Sequence, residues 1–343
     1  MEIRRRDIAK VEYSTNSGDL MVCKINCIET VFKMKEEWKV LFYEEFLRNE
    51  ARFGESMSNH TSLRIGGPAD IFLIPEDISS LKKILNILKR NRIPFLPLGN
   101  GTNILVMDEG IEGAVISLRS FRKMEIINED DKFVNIYVES GFPLQKLVRF
   151  SKECGYSGIE GLVGIPGSIG GAVWGNAGAY GYEMKDIITL VTIMGSDGRI
   201  REVRSEDIEF GYRGSKISSF ASGGEMVISV EIVLKKDKIE NVSSKIEDFF
   251  KRKRESQPIF EPSAGCVFKN PPELSAGRLI DEAGCKGMRI GDVEVSKIHA
   301  NFFVNKGKAK ASEFIKLMEN VKLRVIDTSG IELEPEIRIV GRG

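Results

Sequence analysis

Gly164-Ile165-Pro166-Gly167-Ser168-Ile169-Gly170-Gly171-Ala172, followed closely by Gly175-Asn176-Ala177-Gly178-Ala179-Tyr180-Gly181, is the stretch on which the reading of this 343-residue chain turns. Seven glycines fall between positions 164 and 181. Glycines that dense would weaken any core built from them, so a ligand-facing loop is the better reading. Without a Cβ the backbone turns freely and a bulky anion can approach its N–H groups. Small residues such as Ala172 and Ala177 leave room for a flat ring. No Gly-Lys-Ser/Thr follows, which excludes a Walker A loop, and spacing alone does not name the ligand.

A second glycine segment lies upstream, Pro97-Leu98-Gly99-Asn100-Gly101-Thr102-Asn103. Gly99 and Gly101 fit the start of a dinucleotide fingerprint, but Ile104 stands where the third glycine belongs. Taken alone, this segment reads more simply as an Asn-Gly hairpin turn between two strands.

Outward from these loops the chain alternates short strands with amphipathic helices, an α+β pattern. Asp70 to Pro75 reads as a strand, and Leu81, Ile84, Leu85 and Leu88 repeat at helical spacing. Phe95–Leu98, Ile104–Met107 and Ala114–Leu118 read as three more strands. Val134, Ile136 and Val138 alternate, Leu144, Leu147 and Val148 mark a helix, and Ser196-Asp197-Gly198 predicts a hairpin between 187–194 and 199–203. Ile228 to Leu234 is another alternating strand. A third unit is expected to open with the helix carrying Ile246, Phe249 and Phe250 and to include the helix of Phe314, Leu317, Met318 and Val321, ended by Gly330. The last strand is expected to put Ile331, Leu333, Ile337 and Ile339 on one face, and Glu332, Glu334, Glu336 and Arg338 on the other. Residues 1–45 are charged and irregular, with Met34 opening a plausible helix. They read as an N-terminal extension of no assigned role.

Composition removes several function classes. Fifty basic and fifty acidic side chains cancel, so no charge excess favours nucleic acid or an anionic membrane. No apolar run is long enough to span a bilayer, and no signal-peptide core follows Met1–Arg6. A cytoplasmic protein is expected. Cys23, Cys27, Cys154, Cys266 and Cys285 form no CxxC pair, which argues against a disulfide framework and a zinc site. With only His60 and His299, no metal centre is expected and a Ser-His-Asp triad has little to draw on.

Six motifs in order carry a resemblance: Asn59-His60-Thr61-Ser62-Leu63-Arg64-Ile65-Gly66-Gly67-Pro68-Ala69, the two glycine segments, Gly211-Tyr212-Arg213, Ser263-Ala264-Gly265-Cys266-Val267-Phe268-Lys269-Asn270-Pro271, and Leu333-Glu334-Pro335-Glu336. Over residues 50–341 the chain resembles the UDP-N-acetylenolpyruvoylglucosamine reductase (MurB) family. The short stretch between Arg213 and Cys266 is similar to its type II branch. The resemblance implies an FAD-binding fold of the vanillyl-alcohol-oxidase (PCMH) type. One FAD subdomain would span 46–118, joined by 328–343, a second 119–236, and a smaller α+β substrate domain 237–327. It implies non-covalent FAD, NADPH as electron donor, a UDP-sugar substrate and a monomer.

The resemblance also implies roles. FAD would be held by Arg64, by Leu98, Gly99, Asn100, Gly101, Thr102 and Asn103, and by Gly164, Ile165, Pro166, Gly167, Ser168, Gly170, Gly171, Ala172, Asn176, Ala177, Gly178 and Tyr180. Arg213 matches the family's catalytic arginine, suited to grip a carboxylate and stabilise an enolate-like intermediate. Cys266 stands where many members carry a proton-donating serine. A thiol, with an ordinary pKa of about 8.5, can take that role at the cost of sensitivity to oxidation. Glu336 matches the catalytic glutamate, with Glu334 as the alternative. Tyr212, Lys269, Asn270, His299 and Asn301 would contact substrate. Two rivals stand beside this reading. One is another flavoenzyme of the same fold acting on an alcohol or hydroxy acid. Many of those tether FAD to a histidine, and neither histidine lies in the glycine segments. The other is a non-catalytic nucleotide-binding relic, which Arg213 and Glu336 oppose.

Overall fold

The computed structural model describes residues 38, 40–42, 51–216 and 224–342. The chain divides into Met1–Phe46 and Leu47–Gly343. In the first unit the described residues, 38 and 40–42, are helical. The helix start expected at Met34 lies outside the described residues.

The larger unit begins with a four-stranded sheet in the order β1 (Ala51–Ser56), β2 (Pro68–Leu73), β5 (Ile111–Ser117), β3 (Phe95–Leu98). β2, β5 and β3 run parallel, and β1 is antiparallel to β2. Helix α1 (Ile78–Arg90) makes the crossover and buries Leu81, Ile84, Leu85 and Leu88, the residues spaced for it. Its first turn is fixed by a capping box, in which Asp77 accepts from the Ser80 N–H at 2.7 Å and the Ser80 hydroxyl accepts from the Asp77 N–H.

Strand β4 (Ile104–Val106) does not pair with β3. It pairs in parallel with the C-terminal strand β20 (Arg338–Val340). The Gly99–Asn103 segment is therefore a crossing between two sheets and not a hairpin turn. Arg342 ties the chain end back, donating to Asp70 at 2.7 Å and to the Ile111 carbonyl at 3.0 Å.

The second layer is a six-stranded antiparallel sheet. Its order is β12 (Ile200–Arg204), β11 (Ile188–Met194), β15 (Met226–Lys236), β7 (Phe133–Glu139), β6 (Met124–Glu129), with β8 (Tyr156–Ser157) also on β15. The Ser196-Asp197-Gly198 turn joins β11 to β12, with Gly198 at φ +77°. The buried faces of these strands share one core with α2 (Leu144–Cys154). Helix α4 (Ile239–Ser256), expected to open the third unit, instead buries Val242 and Ile246 in this core and packs on α2. Between these elements lie the short helix α3 (Ile169–Trp174), the hairpin β9 (Gly178–Ala179) with β10 (Tyr182–Glu183), and the hairpin β13 (Glu209–Gly211) with β14 (Gly214–Lys216).

A third sheet runs β16 (Ser263–Cys266), β19 (Phe302–Asn305), β18 (Val293–Val295), β17 (Arg289–Ile290). Helices α5 (Ala276–Glu282) and α6 (Ala311–Ser329) cover it, with Phe268, Phe303, Phe314 and Leu317 at the centre. Gly330, left-handed at φ +71°, ends α6.

The long alternating final strand does not form. Pro335 has no N–H for a ladder, and residues 331–337 contribute only an isolated bridge from Pro335 to Phe268 before β20 begins. Leu333 and Ile337 are buried as expected, but Ile339 is exposed. Among the described residues no helix is long and apolar enough to cross a membrane, and no His, Cys, Asp and Glu group could hold a metal ion.

Candidate active site

The two glycine segments meet. A Cβ on Gly99 would lie 2.9 Å from the Ser168 hydroxyl and 3.8 Å from the Gly171 Cα. Thr102 donates to the Pro166 carbonyl at 3.3 Å, and the Asn103 amide donates to the Glu336 carbonyl at 3.3 Å. Gly101, at φ +62°, packs its Cα against the His60 carbonyl so closely that no side chain fits. Ser168 caps α3 by accepting the Gly171 N–H. Gly164, at φ +71°, and Ile165 are held by Gln145, whose carboxamide accepts the Gly164 N–H at 2.7 Å and donates to the Ile165 carbonyl at 2.7 Å.

This surface fits the pyrophosphate and ring of a flavin dinucleotide. Among the described residues nothing accepts from the amide N–H groups of Asn100, Gly101, Thr102 and Gly167. A Cβ at Gly171 would meet only the Ser168 hydroxyl, at 3.7 Å, so the floor beside it is open. Leu98 and Ala172 are buried beneath, and the Ala177 N–H closes on the Ala172 carbonyl. Gly170 sits directly on the Ser140 side chain. Arg64 stands exposed at φ +55°.

Two residues expected with the cofactor are engaged elsewhere. Asn176 is buried and bridges Glu183, the Gly211 carbonyl and the Lys185 N–H. Tyr180 stacks on Phe249 of α4, centroids 4.7 Å apart. Gly178 faces the centre of the site, where its carbonyl accepts from Arg213 at 3.0 Å.

Arg213, Cys266 and Glu336 converge, although 123 positions separate the first from the last (336 − 213). Tyr212-Arg213 is the two-residue turn between β13 and β14, and Arg213 adopts φ +57°, a region sparsely populated by residues other than glycine. The turn aims its guanidinium at Glu336, with Nε to Oε1 at 3.1 Å, while it also lies 5.1 Å from the exposed Tyr212 ring. Burial holds the Glu336 carboxyl above its ordinary range, against the pull of Arg213 and Lys269. Glu334 points away, 70 % exposed against 14 % for Glu336, and pairs with Lys269. Glu336, not Glu334, is thus the carboxylate beside Arg213.

Burial, reinforced by the Glu336 charge, pushes the Cys266 thiol up to about 12, with Arg213, Asn301 and Lys253 opposing. A group that holds its proton so firmly is protonated at neutral pH. Lys253 is the residue that sequence reasoning missed. It is 3 % exposed, donates to the Val163 carbonyl at 2.8 Å and lies 5.7 Å from the Tyr180 ring. Burial and then the Arg213 charge bring its ammonium down to about 8. A signal was present: Val242, Ile246, Phe249 and Lys253 fall on one helical stripe, and a lysine in an apolar stripe needs a reason. Gln145 offered no comparable signal.

The remaining expected residues spread over the third sheet. The Asn270 carboxamide caps α5, accepting the Ala276 N–H at 3.0 Å. His299 accepts the Asn301 N–H at Nδ1, packs its edge on Phe302, and is held below its ordinary range by burial and by Lys286. Asn301 is buried against Phe268.

Comparison with known proteins follows this geometry. The family described as UDP-N-acetylenolpyruvoylglucosamine reductase, C-terminal domain, matches residues 257–340, and the FAD binding domain family matches residues 69–204. The UDP-N-acetylenolpyruvoylglucosamine reductase of Geotalea uraniireducens is 41% identical over 296 residues, 86% of this chain and 95% of that protein. The enzyme of the same name from Heliobacterium modesticaldum is 42% identical over 289 residues, 84% of this chain and 90% of its own. The crystal structure of UDP-N-acetylenolpyruvylglucosamine reductase from Thermus caldophilus superposes with a TM-score of 0.71 at 35% identity, covering 84% of this chain and 98% of that one.

Proposed function

The chain belongs to the UDP-N-acetylenolpyruvoylglucosamine reductase family, and we propose that it reduces the enolpyruvyl ether of UDP-N-acetylglucosamine to UDP-N-acetylmuramate, a peptidoglycan precursor, with NADPH as donor. When bound, FAD would supply the hydride chemistry between NADPH and C3 of the enolpyruvyl group. The segments Gly99–Asn103 and Gly164–Ala172 would hold its pyrophosphate and ring through backbone N–H groups, without a covalent tether.

The observation that carries the reading is the convergence of Arg213, Glu336, Lys253 and Cys266 beside that glycine floor. Hydride arriving at C3 pushes negative charge toward C2 and the carboxylate. Arg213 keeps Nη2 for a carboxylate while Nε and Nη1 are anchored by Glu336 and the Gly178 carbonyl, so it grips from a fixed direction and stabilises the enolate. Lys253 adds a second cation that no carboxylate neutralises among the described residues. Cys266, held protonated, delivers its proton to C2, which completes the saturated lactyl ether. Glu336 anchors Arg213 and keeps the thiol in its acid form. Tyr212, exposed over Arg213, lines the entrance for the sugar nucleotide. We infer a cytoplasmic monomer, which light scattering on the purified protein checks.

The test is stoichiometric. FAD-loaded protein, given NADPH and UDP-N-acetylglucosamine enolpyruvate under anaerobic conditions, is expected to oxidise one NADPH per product two mass units heavier than the substrate. NADPH oxidation that proceeds equally without the enolpyruvyl compound would remove the assignment.

A further inference from the structure

The downstream glycine segment is built along one neighbouring stretch of chain. The Gly170 N–H donates to the Ser140 carbonyl at 2.8 Å and the Ile169 N–H to the Phe142 carbonyl at 2.9 Å, while the Leu144 N–H donates to the Gly167 carbonyl at 3.1 Å. Main-chain pairing ends there, because α2 begins at Leu144 and its backbone turns into the helix. The Gln145 side chain continues the match. Its Oε1 accepts the Gly164 N–H at 2.7 Å, and its Nε2 donates to the Ile165 carbonyl at 2.7 Å and to the Leu162 carbonyl at 3.0 Å.

These three bonds engage both Nε2 hydrogens and set Oε1 against an N–H. Exchanging O and N would place oxygen against two carbonyls, so the carboxamide has one workable orientation. The bonds enclose Gly164, which sits in the left-handed region at φ +71°. From the other side Lys253 donates to the Val163 carbonyl at 2.8 Å, and a Cβ on Gly164 would lie 2.9 Å from the Lys253 Cδ. Residues 162–165 are therefore gripped by side chains from two helices, α2 and α4. Three positions beyond Gly164 is the Gly167 N–H, one of the groups that nothing accepts from among the described residues.

We propose that Gln145 is a positioning residue for the flavin: it holds the turn at Leu162–Ile165 in its working shape before the cofactor arrives, so that FAD does not have to order the segment that receives its pyrophosphate. Ordering completed when the chain folds is not subtracted from binding, and it appears as affinity. The inference rests on the FAD site proposed above, and Gln145 acts through the main chain without touching the cofactor.

The test titrates the full chain, freed of flavin, with FAD and reads Kd from the quenching of flavin fluorescence. The parent protein comes first: if it binds no FAD, the cofactor site itself fails before Gln145 is examined. Gln145→Leu keeps the bulk of the side chain and removes all three bonds. It is expected to raise Kd about 10- to 100-fold, the effect of main-chain groups left without partners. Amide hydrogen exchange over residues 160–170 should be faster in this variant than in the parent before FAD is added, and the difference should shrink at saturating FAD. Gln145→Glu supplies a second arm. Ionised, it has no hydrogen for the Leu162 and Ile165 carbonyls; protonated, it has one. Its Kd relative to the parent should therefore fall as pH is lowered from about 8 to about 5.5, with the carboxyl held above its ordinary range by those carbonyls. That trend should persist in high salt, which screens simple repulsion between carboxylate and pyrophosphate. Parent-like FAD affinity in a folded Gln145→Leu protein would overturn the proposal, as would a Gln145→Glu deficit that does not move with pH. Should the leucine variant fail to fold, the glutamate arm decides alone.

Discussion

Replacing Lys253 with methionine should make the protein more stable and a worse enzyme. Burial with no acidic partner among the described residues brings the ammonium from 10.5 to about 8. At roughly 1.4 kcal/mol per unit, that difference is a cost of about 3 kcal/mol carried by the charged form at pH 7. The sign follows from linkage. Between pH 8 and 10.5 the unfolded chain holds the proton and the folded protein does not, so wild-type stability rises with pH through that window, and the full cost is present below it. Methionine keeps the apolar stem that lies against Gly164 and removes the charge. It leaves the Val163 carbonyl without its donor, a loss of about 1 kcal/mol. The net gain should be about 2 kcal/mol at pH 7, shrinking toward zero by pH 9.5. Urea unfolding of both proteins at the two pH values measures it, because titrations common to both cancel in the difference. A variant less stable than wild type at pH 7, or a gap that does not move with pH, would refute the reasoning. The same variant should raise KM for the sugar nucleotide, which is why a destabilising lysine stays in the site.

Four further outcomes follow. Arg213→Lys loses the planar fork and should lower kcat/KM for the enolpyruvyl compound by about 10²- to 10³-fold, with flavin reduction by NADPH unchanged in stopped-flow absorbance. Cys266→Ala should slow reoxidation by about 10²- to 10⁴-fold, whereas Cys266→Ser should keep a substantial part of it, since a hydroxyl also carries a transferable proton. Glu336→Gln removes the nearby charge that raises the thiol, so iodoacetamide should label Cys266 faster at a given pH even as turnover falls. Gly101→Ala places a methyl against the His60 carbonyl in a left-handed backbone and should weaken FAD binding at least about tenfold, read by flavin fluorescence on titration.

Much of the fold could be read from side-chain periodicity. The α1 stripe Leu81, Ile84, Leu85, Leu88 is buried as spaced, and β7 alternates as written, whereas β15 alternates only from Val230 onward, Met226 to Val230 all being buried. Local patterns failed where a distant partner decided the outcome. Residues 331–337 alternate perfectly, yet Pro335 and the single bridge to Phe268 leave them out of any ladder. The α4 pattern announced a helix but not that α2 would receive it. The Gly99–Asn103 segment looks like a hairpin turn until β20, more than 230 positions later, is seen to claim β4. Of the site, Arg213, Cys266 and Glu336 were legible only through the motifs around them, because nothing in the spacing of an arginine, a cysteine and a glutamate says that they meet. Asn270 and Asn301, expected to contact substrate, show how a polar side chain can also be claimed by the main chain. Both carboxamides serve the backbone, of α5 in one case and of Phe268 in the other.

The central claim is that the grouping of Arg213, Glu336, Lys253 and Cys266 beside a flavin floor reduces an enolpyruvyl ether. The most direct test reduces the FAD-loaded protein with one equivalent of NADPH in the absence of oxygen, adds UDP-N-acetylglucosamine enolpyruvate, and follows the flavin absorbance. The account predicts prompt return of the oxidised spectrum with wild type and a return slowed at least about a hundredfold with Cys266→Ala. A flavin that NADPH bleaches but the enolpyruvyl compound never restores would contradict it, as would equal rates in the two proteins.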